Sequence, residues 1–302
     1  MATSVSVTSA YAGEFAGKYV AAALLSGLTL EQGALTVLPN IPYSHTIKKD
    51  VSSGFVDDAS CDFTDEGSIA LTDRVLTPKE LQVNLELCKQ DFIDDWEAVQ
   101  MGYSPMSRNM PPKFSDYIIA RTLAMVAAAT ETSIWQGVAA TAGEFAGFIP
   151  AFVADGDIND VSTPVTLSAA NIVAQVGRLV DDIPTAVYGK EDLRLYVPTS
   201  VVRFYTRAMS ALGYMDRYYE GAKPLDFEGI PMVHCPGMPD DTMVAAQISN
   251  LYFGTGLMRD QNEVKVLDMA DLDGSQNVRV IMRYTAGVQY GIGTDIVLYG
   301  TG

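Results

Sequence analysis

The side chains in this chain that come closest to forming a chemical site carry oxygen. Asp155-Gly156-Asp157-Ile158-Asn159-Asp160 sets oxygen-bearing residues at the first, third and fifth positions, as a calcium-binding loop does. Such a loop needs Gly at its sixth position for a sharp turn and a Glu at its twelfth that binds through both oxygens. Here those positions are Asp160 and Thr166, so the expected reading is a solvated acidic loop. Asp268, Asp271 and Asp273 with Gly274 are expected to form a turn between two terminal strands, for the same reason. Only His45 and His234 are available as histidine ligands, and a histidine-based zinc site would need both, plus carboxylates.

Nucleophilic and phosphate chemistry find no better support. His234 and Cys235 are neighbours on an expected strand, so their side chains face opposite ways and cannot form a dyad. Cys61 and Cys88 lie in no recognisable motif, and there is no GxSxG elbow. Asp94-Asp95 and Asp181-Asp182 read as solvated faces in a chain with 37 acidic residues. A phosphate loop needs glycines spaced so that backbone N–H groups converge. Gly13 to Lys18 has the wrong spacing and is followed by Tyr19, and Gly189-Lys190 is followed by Glu191. Gly254-Thr255-Gly256 lacks a third glycine, so these glycines are expected to serve turns where strands reverse. The sequence therefore nominates no catalytic, cofactor-binding or metal-binding residue. The expectation is a protein that is not an enzyme and has no cofactor.

Composition sets the frame for the elements. The 302 residues are 48% hydrophobic and 19% charged, enough for a sizeable core in one large or two interleaved domains. A net charge of −17 repels a phosphate backbone and argues against DNA binding by the chain as a whole. Three scattered cysteines suit reduced thiols better than a disulfide framework. The run Tyr19 to Leu25 is too short to span a bilayer, so neither a signal peptide nor a membrane segment is expected.

Gly13 to Ser26 has helical spacing and a stop at Gly27. From Leu35 to about Asp73 the chain turns polar and turn-rich. Pro39 and Pro42 break any helix, Thr46 to Val56 can extend, and Asp57-Asp58 and Asp62 to Glu66 are acidic, which predicts a long hairpin. Leu81, Val83, Leu85 and Leu87 alternate with polar residues as in a half-buried strand, and Gln90 to Val99 reads as a short helix. Ser115 to Gln136, closed by Gly137, is the longest helix candidate, roughly 30–35 Å at helical rise. A helix from Ala169 to Asp182, a strand from Leu193 to Val197 and a helix opened by Pro198-Thr199-Ser200 and running to about Leu212 follow, then a Tyr-rich link, Tyr214 to Tyr219. Ile230 to His234 and Met243 to Ile248 read as strands around the turn Pro236 to Thr242, and Val278 to Tyr284 and Val288 to Leu298 as two closing strands.

The block from Gly229-Ile230-Pro231 through Gly256, with the strand-to-helix passage Leu193 to Ala208, resembles the major capsid proteins of tailed bacteriophages, the Hong-Kong-97-like fold. The resemblance implies an α+β chain with an N-terminal arm over 1–38 and an extended loop over 39–80. A peripheral domain would cover 81–146 and 250–302, with a spine helix over 113–137, and a central axial domain 147–249. It implies self-assembly as pentamers and hexamers into an icosahedral shell around double-stranded DNA, held without sequence-specific binding. Portal and scaffolding proteins, and decoration proteins, would be its further partners. The virion would be its location, after assembly in the host cytoplasm and away from membranes. A separate scaffold, or none, is expected rather than a scaffolding segment within the chain. In the founding member of the family a loop lysine is linked covalently to an asparagine of a neighbouring subunit. No asparagine here matches that partner, so Lys48 and Lys49 are expected to make ordinary salt bridges between subunits. The alternative use of the same fold is an encapsulin-type shell that encloses cargo enzymes.

Overall fold

The structure, a computed structural model, describes residues 28–39, 41, 43–53, 68–88, 112–212, 225–255, 264–269 and 274–300. The elements expected at Gly13–Ser26 and Gln90–Val99, the acidic tip 57–66 and the link Tyr214–Tyr219 lie outside these residues. After a single helical turn at Leu28–Glu31 come β1 (Thr36–Leu38), β2 (His45–Ser53), β3 (Ser68–Leu76) and β4 (Lys79–Cys88). Helices α1 (Pro112–Gln136) and α2 (Phe148–Ala154) precede β5 (Asn159–Asp160), α3 (Ile172–Asp181), β6 (Leu193–Val197) and α4 (Thr199–Ala211). The remaining strands are β7 (Asp226–Phe227), β8 (Ile230–His234), β9 (Met243–Gln247), β10 (Leu251–Thr255), β11 (Val264–Asp268), β12 (Asn277–Tyr290) and β13 (Val297–Tyr299).

The chain divides into two compact units. Of the described residues, the smaller takes in 82–88, 112–128, 264–269 and 274–283. Here β11 runs antiparallel to the first half of β12, with Val264 opposite Met282 and Asp268 opposite Val278. Val278, Val280 and Met282 are buried while Arg279 and Arg283 are exposed, the period-two pattern of a strand with one covered face. On the exposed side Glu86 accepts from Arg279 Nε at 2.8 Å and from Asn277 Nδ2 at 2.7 Å.

The larger unit is built on a six-stranded sheet in the order β5-β13-β9-β6-β8-β7. Leu193, Leu195 and Val197 alternate onto one face and join Met243, Ala245, Val297 and Tyr299. Helix α3 covers that face with Ile172, Val176, Leu179 and Val180, an i, i+4, i+7, i+8 stripe, and α4 adds Val201, Tyr205 and Ala208. Between β7 and β8 the two-residue turn Glu228-Gly229 has positive φ at both positions (51° and 83°), the mirror-image turn whose twist suits a hairpin. On the opposite face Tyr196 is also buried, so both faces of the central strand are covered. In the same unit β1 runs parallel to β10, and β10 antiparallel to the second half of β12. No helix among the described residues is long and apolar enough to cross a membrane.

Two expectations are corrected. Val278 to Tyr284 and Val288 to Leu298 do not form two separate strands: β12 runs unbroken from Asn277 to Tyr290, and only Val297–Tyr299 is a second strand. Gly287, which reads as a break in the sequence, lies within β12 directly opposite Gly254 of β10. Gly254 accordingly is not a turn residue but a strand residue. The physical reason is close packing of other side chains and backbone against both glycines.

Candidate functional site

The strand pair β2–β3 is a sheet of its own. Nine residue pairs join it, from His45 opposite Leu76 to Ser53 opposite Ser68, and neither strand pairs with a third among the described residues. Alternation sorts its side chains. Ile47, Arg74 and Leu76 share one face, and Ile47 and Leu76 are buried there with Ile41. Thr46, Lys48, Leu71, Asp73 and Val75 share the other face. Leu71 is 70% exposed and Val75 49%, with Lys48 directly opposite Asp73 between them. A two-stranded ribbon with apolar groups on an open face is marginal alone and presents both edges for pairing. Among the described residues, the ribbon combines an open apolar face with two unpaired edges.

The root of the ribbon is built to hold it. A Cβ on Gly254 would come within 2.6 Å of Leu76 Cδ2 and 2.8 Å of Ile41 Cδ1. On the opposed Gly287 it would approach Pro78 Cα at 3.0 Å. The paired glycines thus make the hollow into which the root side chains pack. Beside it, the Arg74 guanidinium binds the Asp155 carboxylate and lies 4.2 Å from the centroid of the Tyr290 ring. The Tyr290 hydroxyl donates to Asp155 Oδ2 at 2.7 Å, and Gln289 Nε2 donates to the Val75 carbonyl at 3.1 Å. The Tyr290 hydroxyl, then the Asp157 amide and Arg74, outweigh burial and hold the Asp155 carboxyl down at about 2. Just beyond the ribbon, the Lys79 ammonium donates to the carbonyls of Ala139, Thr141 and Glu144, at 3.0, 3.3 and 2.6 Å.

An aromatic series backs this root. Tyr290 meets Phe152 edge-on at 5.0 Å, Phe152 stacks on Phe148 at 5.6 Å, and Phe148 packs on Trp135 at 5.6 Å. Trp135 meets Tyr196 of the central sheet at 5.4 Å. All five rings are buried, so the ribbon is tied through large rigid side chains to the middle of the unit.

The residues singled out in the sequence go elsewhere. Asp155 is committed to Arg74 and Tyr290, and the Asn159 amide donates to the Thr294 carbonyl at 2.8 Å, so the calcium-like stretch is spread over separate partners. His234 Nε2 lies 2.8 Å from the Thr199 hydroxyl, and burial followed by Arg203 lowers its pKa. Cys235 is fully buried, its thiol pushed up by burial, with Sγ 3.7 Å from the Val233 carbonyl. Cys88 is half-buried, and Cys61 lies outside the described residues. Sequence reasoning missed Arg74 and Tyr290. The available signal was Arg74 itself, a lone cation just past the acidic, turn-rich stretch, whose charge requires a partner once its segment packs.

No family model matches the sequence, and no curated protein matches it. Solved structures do. The capsid of cyanophage P-SCSP1u is 13% identical, with 99% of this chain and 96% of that chain covered and a TM-score of 0.54. The capsid of Myoviridae phage XM1 is 14% identical, covers 91% and 92%, and also gives 0.54. The capsid of the empty GTA particle is 14% identical over 91% and 90%, at 0.55. At such identities the likeness is one of fold, and the chain has the mixed α+β fold of these capsid proteins.

Proposed function

We propose that this protein is a major capsid protein of a tailed bacteriophage, built on the Hong-Kong-97-like plan, which assembles as pentamers and hexamers into an icosahedral shell around double-stranded DNA. The observation that carries the reading is the rooted β2–β3 ribbon, with Leu71 and Val75 exposed on its open face, in a chain with a capsid-protein fold. The function is then physical rather than catalytic. The ribbon, within the extended loop 39–80, lies across a neighbouring subunit, as does the arm over 1–38. The peripheral domain (81–146 and 250–302) and the axial domain (147–249) meet their counterparts around each capsomer. Weak contacts, repeated with closed symmetry, add up to a stable shell. The acidic chain encloses DNA without holding it. Portal, scaffolding and decoration proteins are its expected partners, the virion its location and the host cytoplasm its site of assembly.

Negative-stain microscopy of the purified protein, with nuclease protection on native particles, tests the proposal. Closed shells that shield DNA are expected. Shells that hold protein cargo and no protected DNA would replace the phage reading with the encapsulin one. A monomer that persists on sizing columns at high concentration would overturn both.

A further inference from the structure

We propose that Glu131 is a proton-controlled latch that holds residues 28–34 against helix α1. Glu131 is 0% exposed. Its carboxylate accepts from the Thr29 amide at 3.3 Å and from the Thr29 hydroxyl, and the nearby Gly237 amide also favours its charged form. The Thr29 hydroxyl oxygen also accepts from Trp135 Nε1 at 3.2 Å and lies against the Cys235 thiol. A Cβ at Gly237 would collide with the Glu131 carbonyl and the Thr132 amide nitrogen, so only glycine lets this turn close on the helix. A second tie holds the same segment, since the Tyr196 hydroxyl donates to the Ala34 carbonyl at 2.6 Å.

The groups facing Glu131 are neutral. Cys235 approaches from the turn after β8, and Tyr196 from β6 packs against Trp135. Burial pushes both of these groups up, out of the range in which they ionise near neutrality. Glu31, on the helical turn beside Thr29, is exposed, and no cation among the described residues pairs with Glu131. An ionised Glu131 therefore has hydrogen-bond donors, both from Thr29, but no counter-ion among the described residues, a costly arrangement. Burial outweighs the donors and raises its pKa above the ordinary carboxylate range.

The Thr29 hydroxyl can serve both protonation states because it is a rotor with one donor and two acceptor positions. With Glu131 ionised, Thr29 O–H donates to it. With Glu131 protonated, Glu131 O–H donates to Thr29 Oγ1, and Thr29 O–H turns to Cys235 Sγ. A carboxyl whose pKa is raised on folding contributes stability that is whole below its unfolded pKa and is lost as pH rises through the folded one. The latch is closed in acid and loosens as pH rises. The segment it holds leads to residues 1–27, and its role as part of a capsid arm rests on the proposed function, whereas the latch itself does not.

Thermal melts and amide exchange of the full-length subunit from about pH 4 to pH 8, beside Glu131→Gln, test it. Relative to the variant, the wild-type folding equilibrium is expected to fall by roughly tenfold per pH unit between the unfolded and folded pKa values. Exchange over 28–34, corrected for intrinsic base catalysis, should rise across the same window in the wild type and stay flat in E131Q. Parallel pH profiles for the two proteins would overturn the latch. If E131Q does not fold, wild-type infrared spectra decide. The band of a buried protonated carboxyl must vanish in the window where 28–34 loosens, and exchange that rises without this loss would equally overturn the proposal.

Discussion

Arg74 stands over the ring of Tyr290, 4.2 Å from its centroid, and both side chains bind the same carboxylate, that of Asp155. The cluster joins three stretches distant in sequence: the ribbon strand β3, the end of helix α2 and the end of β12. Each partner satisfies another, since Arg74 supplies charge, Tyr290 supplies a ring face and a donor, and Asp155 accepts from both. A ribbon with few buried groups of its own gains its fixed position from such a root.

Arg74→Ala should therefore loosen the ribbon more than the body. A loss of about 1–3 kcal/mol is expected for a charge-assisted pair whose partner is left behind. Amide exchange should rise along β2 and β3 while α3, α4 and the central sheet keep their protection. Tyr290→Phe keeps the ring beneath Arg74 and removes only the donor to Asp155, so its effect should be the smaller. Uniform loss of protection across the unit would show that the cluster supports the whole fold rather than the ribbon.

The same cluster sets an acid response opposite in sign to that of Glu131. The Asp155 carboxyl is held at about 2, chiefly by the Tyr290 hydroxyl, below its ordinary value. A depressed carboxyl contributes stability above its unfolded pKa and loses it as pH falls through the folded one. The ribbon root should thus stay intact through neutral and mildly acidic solution, and give way only as pH falls from about 4 toward 2. Asp155→Asn should abolish that share of the acid sensitivity, read as the difference between wild-type and variant melting curves over the window. Equal acid sensitivity in the two proteins would remove Asp155 as its source.

The aromatic series predicts coupling between the ribbon and the core. Phe152 touches Tyr290 edge-on and Phe148 by stacking. Phe152→Ala removes the middle ring and should cost about 3–5 kcal/mol, as for other buried phenylalanines. Phe152→Leu should cost less but still free the Tyr290 ring, and with it the seat of Arg74. A double-mutant cycle of Phe152→Leu with Arg74→Ala should show an interaction energy of at least about 0.5 kcal/mol, and strict additivity would deny the coupling.

Local signals in the chain marked most of these elements. The alternation at Leu193 to Val197, the stripe Ile172, Val176, Leu179 and Val180, and the stop after Gln136 each reflect a period that a short window can reveal. The hairpin and its strand β2 were legible from the breakers and polar flanks and the run Thr46 to Val56, whereas the returning strand β3 was not assigned. What escaped was set by partners remote in sequence. Gly254 read as a turn, and Gly287 fell in the gap between two expected strands, because a glycine in a strand looks like a break, whereas their role is to admit Leu76, Ile41 and Pro78. Asp155 looked like the first position of an ion loop because its partners, Arg74 and Tyr290, lie 81 and 135 residues away. Glu131 was hidden within an Ala-rich helix, where nothing local announces burial.

The open face of the ribbon gives the sharpest test of assembly. Leu71 and Val75 flank Lys48 and Asp73 there, and none of the four is buried in the subunit. Replacing both with glutamate (Leu71→Glu with Val75→Glu) removes no core contact, so the isolated subunit should melt within about 0.5 kcal/mol of the wild type. If this face docks on a neighbouring copy, the same change places charge in every such contact around a closed shell. Small losses at each contact then multiply, and assembly should fail although folding does not. Sizing and negative-stain microscopy of wild type and double variant, at equal concentration, give the readout. Normal shells from the double variant would remove the ribbon's open face from the assembly interface and move the search to its unpaired edges.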